Sequence, residues 1–331
     1  MEKLEKIKQK LDLEDYQGLI ALKNENIKLL TGFTPASFGA LILGTEPLLL
    51  VSAMDMELAK QKSKIPVKTF ESLKQIEEII PTGSRIAVEE SLTISSLEKL
   101  NKNYIPSSSN ILLEERMIKK PEEIKKIEQA THIAQKAFKE LEITDNEWKV
   151  AYQLGYLMRE YGAKKESFDT IVAYGTNSSL PHAEPTNKEP EYPILIDWGA
   201  YHNNYCSDNT RTIIQTEKQE EIYNIVEEAY QKALKTVKPG IPASDIDKAA
   251  RDIITEYGYG ENFIHSTGHG VGLEIHELPN ISTKSNTLLE KNMVITIEPG
   301  IYLEGEFGVR IEDTIQVTNK GKIIGNLPHK I

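Results

Sequence analysis

Ile196-Asp197-Trp198-Gly199-Ala200-Tyr201-His202-Asn203-Asn204-Tyr205-Cys206-Ser207-Asp208-Asn209-Thr210-Arg211-Thr212 reads as one tight β-hairpin. Apolar Pro193 to Ile196 leads in and β-branched Thr210 to Ile214 leads out. His202-Asn203-Asn204 between them is turn chemistry. With the turn centred between His202 and Asn203, Asp197 is expected to face Asp208 across the strands, about 5 Å away at Cβ. Like charges so placed destabilise a hairpin unless something positive lies between them, and a metal ion is the candidate.

A second acidic hairpin follows the same plan. Ile295-Thr296-Ile297-Glu298-Pro299-Gly300-Ile301-Tyr302-Leu303-Glu304-Gly305-Glu306-Phe307-Gly308-Val309-Arg310-Ile311-Glu312-Asp313 turns at Gly305, which sets Glu298 against Glu312. Each hairpin is preceded by a pair of helices. The first pair starts at Pro121, an N1 proline followed by Glu122 and Glu123, and continues from Thr144-Asp145-Asn146-Glu147, read as a capping box, to Glu160-Tyr161-Gly162. The second pair starts at the Thr216-Glu217-Lys218-Gln219 box and continues from Ser244-Asp245-Ile246-Asp247, read as a similar cap, to Glu256-Tyr257-Gly258. A spacing of roughly one hundred residues is too long for a solenoid and indicates internal duplication of a helix, helix, hairpin unit.

The sequence ahead of this repeat has another character. Short apolar runs at Gly18 to Leu22, Ala40 to Leu43, Leu48 to Val51, Val67 to Phe70 and Arg85 to Val88 read as strands. Helical patches at Asn26 to Leu30, Met56 to Lys62 and Ser72 to Ile80 alternate with them, as in a small α/β layer. The expected division of the 331 residues is an N-terminal α/β domain over 1–115 and a second, α+β domain over 116–331.

Composition narrows the chemistry. One cysteine, Cys206, excludes an internal disulfide and any multi-cysteine zinc site, so a metal must be held by oxygen and imidazole. Cys206 itself reads as a small packed residue. A net charge of -11 argues against nucleic acid or an anionic membrane as partner. The most apolar run, Phe38 to Ala53, is broken by Gly39, Gly44 and Pro47, and the charged start Met1 to Lys6 does not resemble a secretory signal. A cytoplasmic location is expected.

A fifth ligand is offered by His265-Ser266-Thr267-Gly268-His269-Gly270-Val271-Gly272-Leu273-Glu274-Ile275-His276-Glu277, where glycines flank His269 and permit close approach to its ring. Four carboxylates and an imidazole suit Mn, Co, Fe or Zn. Two such ions, about 3.5 to 4 Å apart, would neutralise the acids. His132, His202 and His329 fall on a helix, a turn and the tail, where a structural role is expected.

These motifs, together with Ser167 to Val172, Pro181-His182-Ala183 and Asn26 to Phe33, resemble the pita-bread metallopeptidases, in particular Xaa-Pro dipeptidase (prolidase) and aminopeptidase P. The resemblance spans nearly the whole chain. It implies a creatinase/prolidase-like N-terminal domain, a pita-bread catalytic domain and a homodimer. It also implies hydrolysis of the Xaa-Pro bond in dipeptides or short peptides by a hydroxide bridging two divalent metals, with Mn or Co foremost and Zn or Fe as alternatives. Asp197, Asp208, His269, Glu298 and Glu312 would be the ligands; His182, His265, His276, Tyr302 and Arg310 would line or support the substrate site. His182, His276 and Glu298 would be catalytic, Glu298 as the proton shuttle. The sequence departs from the pattern at Leu29, where many relatives carry Tyr, and at Asn280, where some prolidases carry Arg. Asn280 keeps open aminopeptidase P activity on longer peptides. A metal-free creatinase-like relative would have lost ligand positions, whereas all five are intact here.

Overall fold

A computed structural model describes residues 2–72 and 74–331, and the chain divides into two units, Met1–Arg116 and Met117–Ile331. In the first unit a six-stranded sheet is built from β1 (Gly18–Ala21), β2 (Gly39–Leu43), β3 (Pro47–Val51), β4 (Val67–Thr69), β5 (Arg85–Val88) and β6 (Ile105–Ser108), in the order β4-β3-β2-β1-β5-β6. Its central strands are apolar on both faces because both are covered. Leu19, Leu41, Leu43, Leu49 and Val51 pack on one side with Ile7 and Leu11, while Ile20, Ile42, Leu48 and Leu50 pack on the other with Ile76 and Ile80. The covering helices are α1 (Glu2–Leu13), α2 (Asn24–Thr31), α3 (Met56–Lys62), α4 (Lys74–Glu77), α5 (Ile94–Leu100) and α6 (Ile111–Met117). The helix expected over Ser72 to Ile80 is only the single turn α4; Leu73 lies outside the described residues.

The second unit contains the duplication. Helices α7 (Pro121–Lys139) and α8 (Glu147–Glu160) lead to β7 (Lys165–Glu166), β8 (Ile171–Tyr174), β9 (Ile194–Trp198), β10 (Ala200–His202), β11 (Tyr205–Cys206) and β12 (Asn209–Ile213). Helices α9 (Glu217–Thr236) and α10 (Ala243–Glu256) then lead to β13 (Gly268–Gly270), β14 (Glu277–Ile281), β15 (Val294–Ile297), β16 (Gly300–Leu303), β17 (Phe307–Arg310), β18 (Glu312–Val317) and β19 (Gly321–Ile323). The main sheet runs β14-β13-β15-β18-β12-β9-β8, with β19 also on β18. Read from its centre outward, β18-β15-β13 mirrors β12-β9-β8. Packing follows the same division: α7 and α8 cover the first half through Phe138, Leu154 and Trp198, and α9 and α10 cover the second through Tyr230, Ile246 and Ile295.

The first hairpin differs from expectation by one residue. Asn203 and Asn204 both take the left-handed backbone, with φ of 51° and 67°, so the turn is centred between them and His202 pairs with Tyr205. Asparagine visits that conformation readily, and two such residues in succession make the tight turn that suits strand twist. Asp197 therefore lies opposite Thr210, not Asp208. In the second hairpin Ile297 pairs with Asp313 and Gly300 with Arg310, the register that sets Glu298 against Glu312.

Two of the three capping boxes are absent. The Thr216 box forms, but α8 is capped by the Asn146 side chain and α10 starts after Pro242 without a side-chain cap. Glu147 and Asp247 are fully buried instead. Among the described residues no helix is long and apolar enough to cross a membrane.

Candidate metal centre

The central strands β12 and β18 pair directly, Thr210 with Glu312 and Asn209 with Asp313, so the acidic ends of both hairpins meet where the two halves join. A cavity of about 390 Å³ opens there. Its lining includes Asp197, Asp208, His269, Glu298 and Glu312, with His182, His265, His276 and Arg310 around them. Asp208, His269 and Glu312 each offer a ligand atom within 4.8 Å of the others. Asp197 and Glu298 share the cavity but stand outside that tight group, and each has a basic partner.

For Asp197 the partner is Arg310, whose Nη2 donates to Oδ2 at 2.7 Å. Arg310 also donates to the Tyr302 hydroxyl at 2.6 Å, to the Thr210 hydroxyl at 3.2 Å and to the Pro181 carbonyl at 3.2 Å. The Tyr302 hydroxyl is 3.0 Å from His265 Nε2, and His265 Nδ1 is 2.8 Å from the Ser266 carbonyl. Both ring nitrogens of His265 are thus engaged within the protein, and its ring forms wall. For Glu298 the partner is His269, 3.3 Å away, with the Thr296 hydroxyl donating to the same carboxylate at 3.0 Å. The Thr296 hydroxyl accepts in turn from the His269 N–H at 3.0 Å.

Burial raises the pKa of Asp197 despite Arg310, and it raises Asp208 and Glu312 well above the usual carboxylate range, with neighbouring acids adding to the shift. Glu298 behaves oppositely. Burial opposes its charge, but the hydrogen bond and charge of His269 outweigh that and hold it down at about 2. Burial likewise opposes a charged His269, yet Glu298 and Asp208 push its pKa up to about 9. Burial and the adjacent His269 lower His276.

Carboxylate oxygens without partners test whether a cation fits. Asp197 Oδ1 and Glu312 Oε1 are buried and accept no hydrogen bond among the described residues. Buried carboxylate oxygens left bare are costly, and a divalent ion satisfies them. The donor set, oxygen-rich with one imidazole, agrees with that use.

Supporting residues absent from the sequence reading are Thr210, which donates to Glu312 at 2.7 Å, Thr296, and the apolar walls Phe168, Ile171 and Ile275. Thr296 carries a signal in the sequence, a lone hydroxyl on the otherwise apolar strand Val294–Ile297 two residues before Glu298, whereas Thr210 on Asn209–Ile213 carries none. His182 and His276 are exposed at the cavity rim, and Asn280 lies on its wall. Of the other histidines, His202 bonds the Gly162 carbonyl and His329 is clasped by Glu227 and Asp313. Cys206 is buried and its thiol is pushed up to about 12, chiefly by burial.

Comparison with known proteins gives a consistent picture. Residues 125–319 match the model of metallopeptidase family M24, and residues 3–118 match the creatinase/prolidase N-terminal domain. The Xaa-Pro dipeptidase of Pyrococcus furiosus is 43% identical over 97% of this chain and 96% of its own. The crystal structure of the prolidase from Pyrococcus horikoshii OT3 superposes with a TM-score of 0.93 at 40% identity, covering 99% of both chains. The Xaa-Pro dipeptidase from Bacillus anthracis gives a TM-score of 0.94 at 35% identity, covering 100% of this chain and 99% of its own.

Proposed function

The chain belongs to metallopeptidase family M24, and from that membership we propose that it hydrolyses the Xaa-Pro bond of dipeptides with two divalent ions, Mn or Co foremost and Zn or Fe as alternatives. The observation that carries the metal reading is the pair of buried, partnerless carboxylate oxygens on Asp197 and Glu312 beside Asp208 and His269. Asp197, Asp208, His269, Glu298 and Glu312 would hold the ions. When bound, divalent ions supply Lewis acidity toward the scissile carbonyl and acidify water.

The remaining work falls to side chains. Glu298 would accept at its carboxylate the proton given up by the attacking water and deliver it to the proline nitrogen as that leaves. The imide nitrogen before proline carries no hydrogen, so this delivery is the step that makes the amine a leaving group. His182 and His276, at the rim, are placed to donate to the carbonyl oxygen as it gains charge. Phe168, Ile171 and Ile275 offer an apolar surface for the proline ring. Arg310 and Tyr302 orient Asp197 and frame the floor.

A second reading is favoured by one feature of the wall. Among the described residues lining the cavity Arg310 is the sole Lys or Arg, and it is committed to Asp197 and Tyr302, while Asn280 is neutral. A site of that kind has little to grip a free proline carboxylate, and it would accept longer Xaa-Pro peptides, as aminopeptidase P does. Comparing an Xaa-Pro dipeptide with an Xaa-Pro tripeptide separates the two; faster cleavage of the tripeptide would displace the dipeptidase reading. A homodimer and a cytoplasmic location remain part of the proposal, supported by the family resemblance alone. The central test is metal content and Xaa-Pro hydrolysis before and after Asp208→Ala. Wild-type protein that binds no Mn or Co after supplementation, or variant protein that keeps both metal and activity, would overturn the metal reading.

A further inference from the structure

Two buried acids outside the cavity stand near the starts of the equivalent helices, Glu147 at the first position of α8 and Asp247 at the fifth of α10. Glu147 ends Thr144-Asp145-Asn146-Glu147 at the start of α8, and Asp247 ends Ser244-Asp245-Ile246-Asp247 near the start of α10. Both are fully buried, and neither caps its helix. Each reaches inward to a segment that brings histidine to the cavity.

The Glu147 carboxylate accepts from the Tyr174 N–H at 2.6 Å, from Asn177 Nδ2 at 3.0 Å, and from the Thr186 N–H and hydroxyl at 2.7 and 2.6 Å. All these donors lie on residues 174–186, the irregular stretch that carries Pro181 and His182 to the cavity. The Asp247 carboxylate accepts from the Thr267 N–H and hydroxyl, both at 3.0 Å, and from Arg251 Nε at 3.0 Å. Arg251 donates onward to the carbonyls of Phe263 and His265, at 2.8 and 2.9 Å. Thr267 stands between His265 and His269, and its carbonyl accepts the Glu298 N–H at 2.8 Å.

We infer that Glu147 and Asp247 are positioning residues, Glu147 fixing the His182 segment and Asp247 fixing the segment of His265 and His269 together with Glu298. The chemistry explains why both are acids. Where a segment leaves the regular ladder its backbone and hydroxyl donors need acceptors, and one carboxylate can accept from several at once; the Thr267 N–H is shared between Asp247 and the Ile281 carbonyl. The aspartate is a methylene shorter and meets fewer segment donors, and Arg251 completes its shell. The two acids touch neither cavity nor each other's segment, so their effects on function separate.

The inference rests on the roles proposed for His182, His269 and Glu298, and its test reads those roles apart. Glu147→Gln and Asp247→Asn each place an amide N–H₂ against donors. Full-length variants are compared with wild type by Mn²⁺ titration calorimetry, by kcat and KM for an Xaa-Pro dipeptide at saturating Mn²⁺, and by melting temperature. Asp247→Asn is expected to weaken Mn²⁺ binding by about 10- to 100-fold, the range for a partner that orients a ligand. Glu147→Gln is expected to lower kcat/KM by about 10- to 100-fold while the Mn²⁺ Kd stays within about twofold. Thr186→Val and Thr267→Val remove one hydroxyl donor each and should shift the same quantities by about threefold; they decide the matter alone if the larger changes prevent folding. Parallel changes in both quantities for both positions, or no change in either, would mean that the acids only stabilise the fold. Imidazole ¹⁵N spectra add a readout independent of activity: His182 should broaden or split in Glu147→Gln and stay single in Asp247→Asn. A wild-type chain inactive on Xaa-Pro dipeptides would sink the function proposed above and leave the spectra and Mn²⁺ isotherms to judge this one.

Discussion

His329 provides a measurable link between pH and stability. Its Nδ1 lies 2.6 Å from Glu227 and its Nε2 lies 2.7 Å from Asp313, so both ring nitrogens face carboxylates and the imidazolium satisfies both. Asp313 also accepts from Arg211 at 2.7 Å and from Tyr230 at 2.8 Å, and Arg211 ties the Leu327 and Pro328 carbonyls to the Glu312 carbonyl. Burial works against the charged ring, but the two carboxylates outweigh it and raise the pKa from 6.5 to about 9. A proton held more tightly in the folded state stabilises that state fully below pH 6.5 and ceases to do so as pH rises through about 9. The shift corresponds to about 3 kcal/mol. Screening trims this little, since the side chain is only 14% exposed. For a unit of this size the loss should lower the melting temperature by about 6 to 12 °C between pH 6.5 and 9.5. His329→Gln removes the titrating group. Calorimetric melting of both proteins across that range, at fixed saturating Mn²⁺, should show the variant less stable at pH 6.5 and converging with wild type by pH 9.5. A gap between the two that stays constant with pH would refute the reasoning. Acid should also weaken the wild type, because the same contacts, against the pull of burial, hold Glu227 and Asp313 below their ordinary values.

Gly270 lies on β13 against β14, and a Cβ there would overlap the Leu278 carbonyl oxygen. Gly270→Ala should therefore cost about 1 to 3 kcal/mol and force β14 outward; a melting temperature unchanged from wild type would count against so close a packing. Cys206 is buried with its thiol pushed up to about 12, so native protein at pH 8 should resist iodoacetamide and take up one label per chain only after denaturation. Prompt labelling of native protein would show that β11 opens readily.

Residues whose signal is local were legible before the fold was known. The N1 proline and acidic first turn of α7 and the Thr216 box of α9 needed only neighbours in sequence, and both helices start where those signals stand. The Glu298 and Glu312 register followed from a single glycine turn with φ of 72° at Gly305. The first hairpin was misread by one residue because His202-Asn203-Asn204 holds three plausible turn residues, and which two turn depends on the tolerance of asparagine for positive φ. Glu147 and Asp247 were read as caps because a Thr-x-x-Glu or Ser-x-x-Asp spacing is all that sequence displays. Their true partners, Thr186 and Thr267, lie 39 and 20 residues away. Strand β6, with Pro106 and two serines, and helices α1, α5 and α6 went unassigned. In those segments tertiary packing outweighs weak local preference.

The geometry of the site also explains why the acids are not equivalent. Duplication brings a pair of carboxylates from each hairpin to the seam between β12 and β18, where they are largely buried around one cavity and like charges lie close. Asp197 has the guanidinium of Arg310 at 2.7 Å, and His269 lies between Glu298 at 3.3 Å and Asp208 at 3.5 Å. Asp208 and Glu312 have no such guanidinium, and it is these two whose pKa values burial and neighbouring acids raise furthest. A buried acid pair that neither arginine nor lysine compensates is unstable as two anions, and a divalent ion is the partner that offsets both at once. Arg310 thus does more than balance charge. By occupying Asp197 Oδ2 it leaves Oδ1 as the oxygen of that residue without a hydrogen bond among the described residues, and so as the donor atom open to a cation.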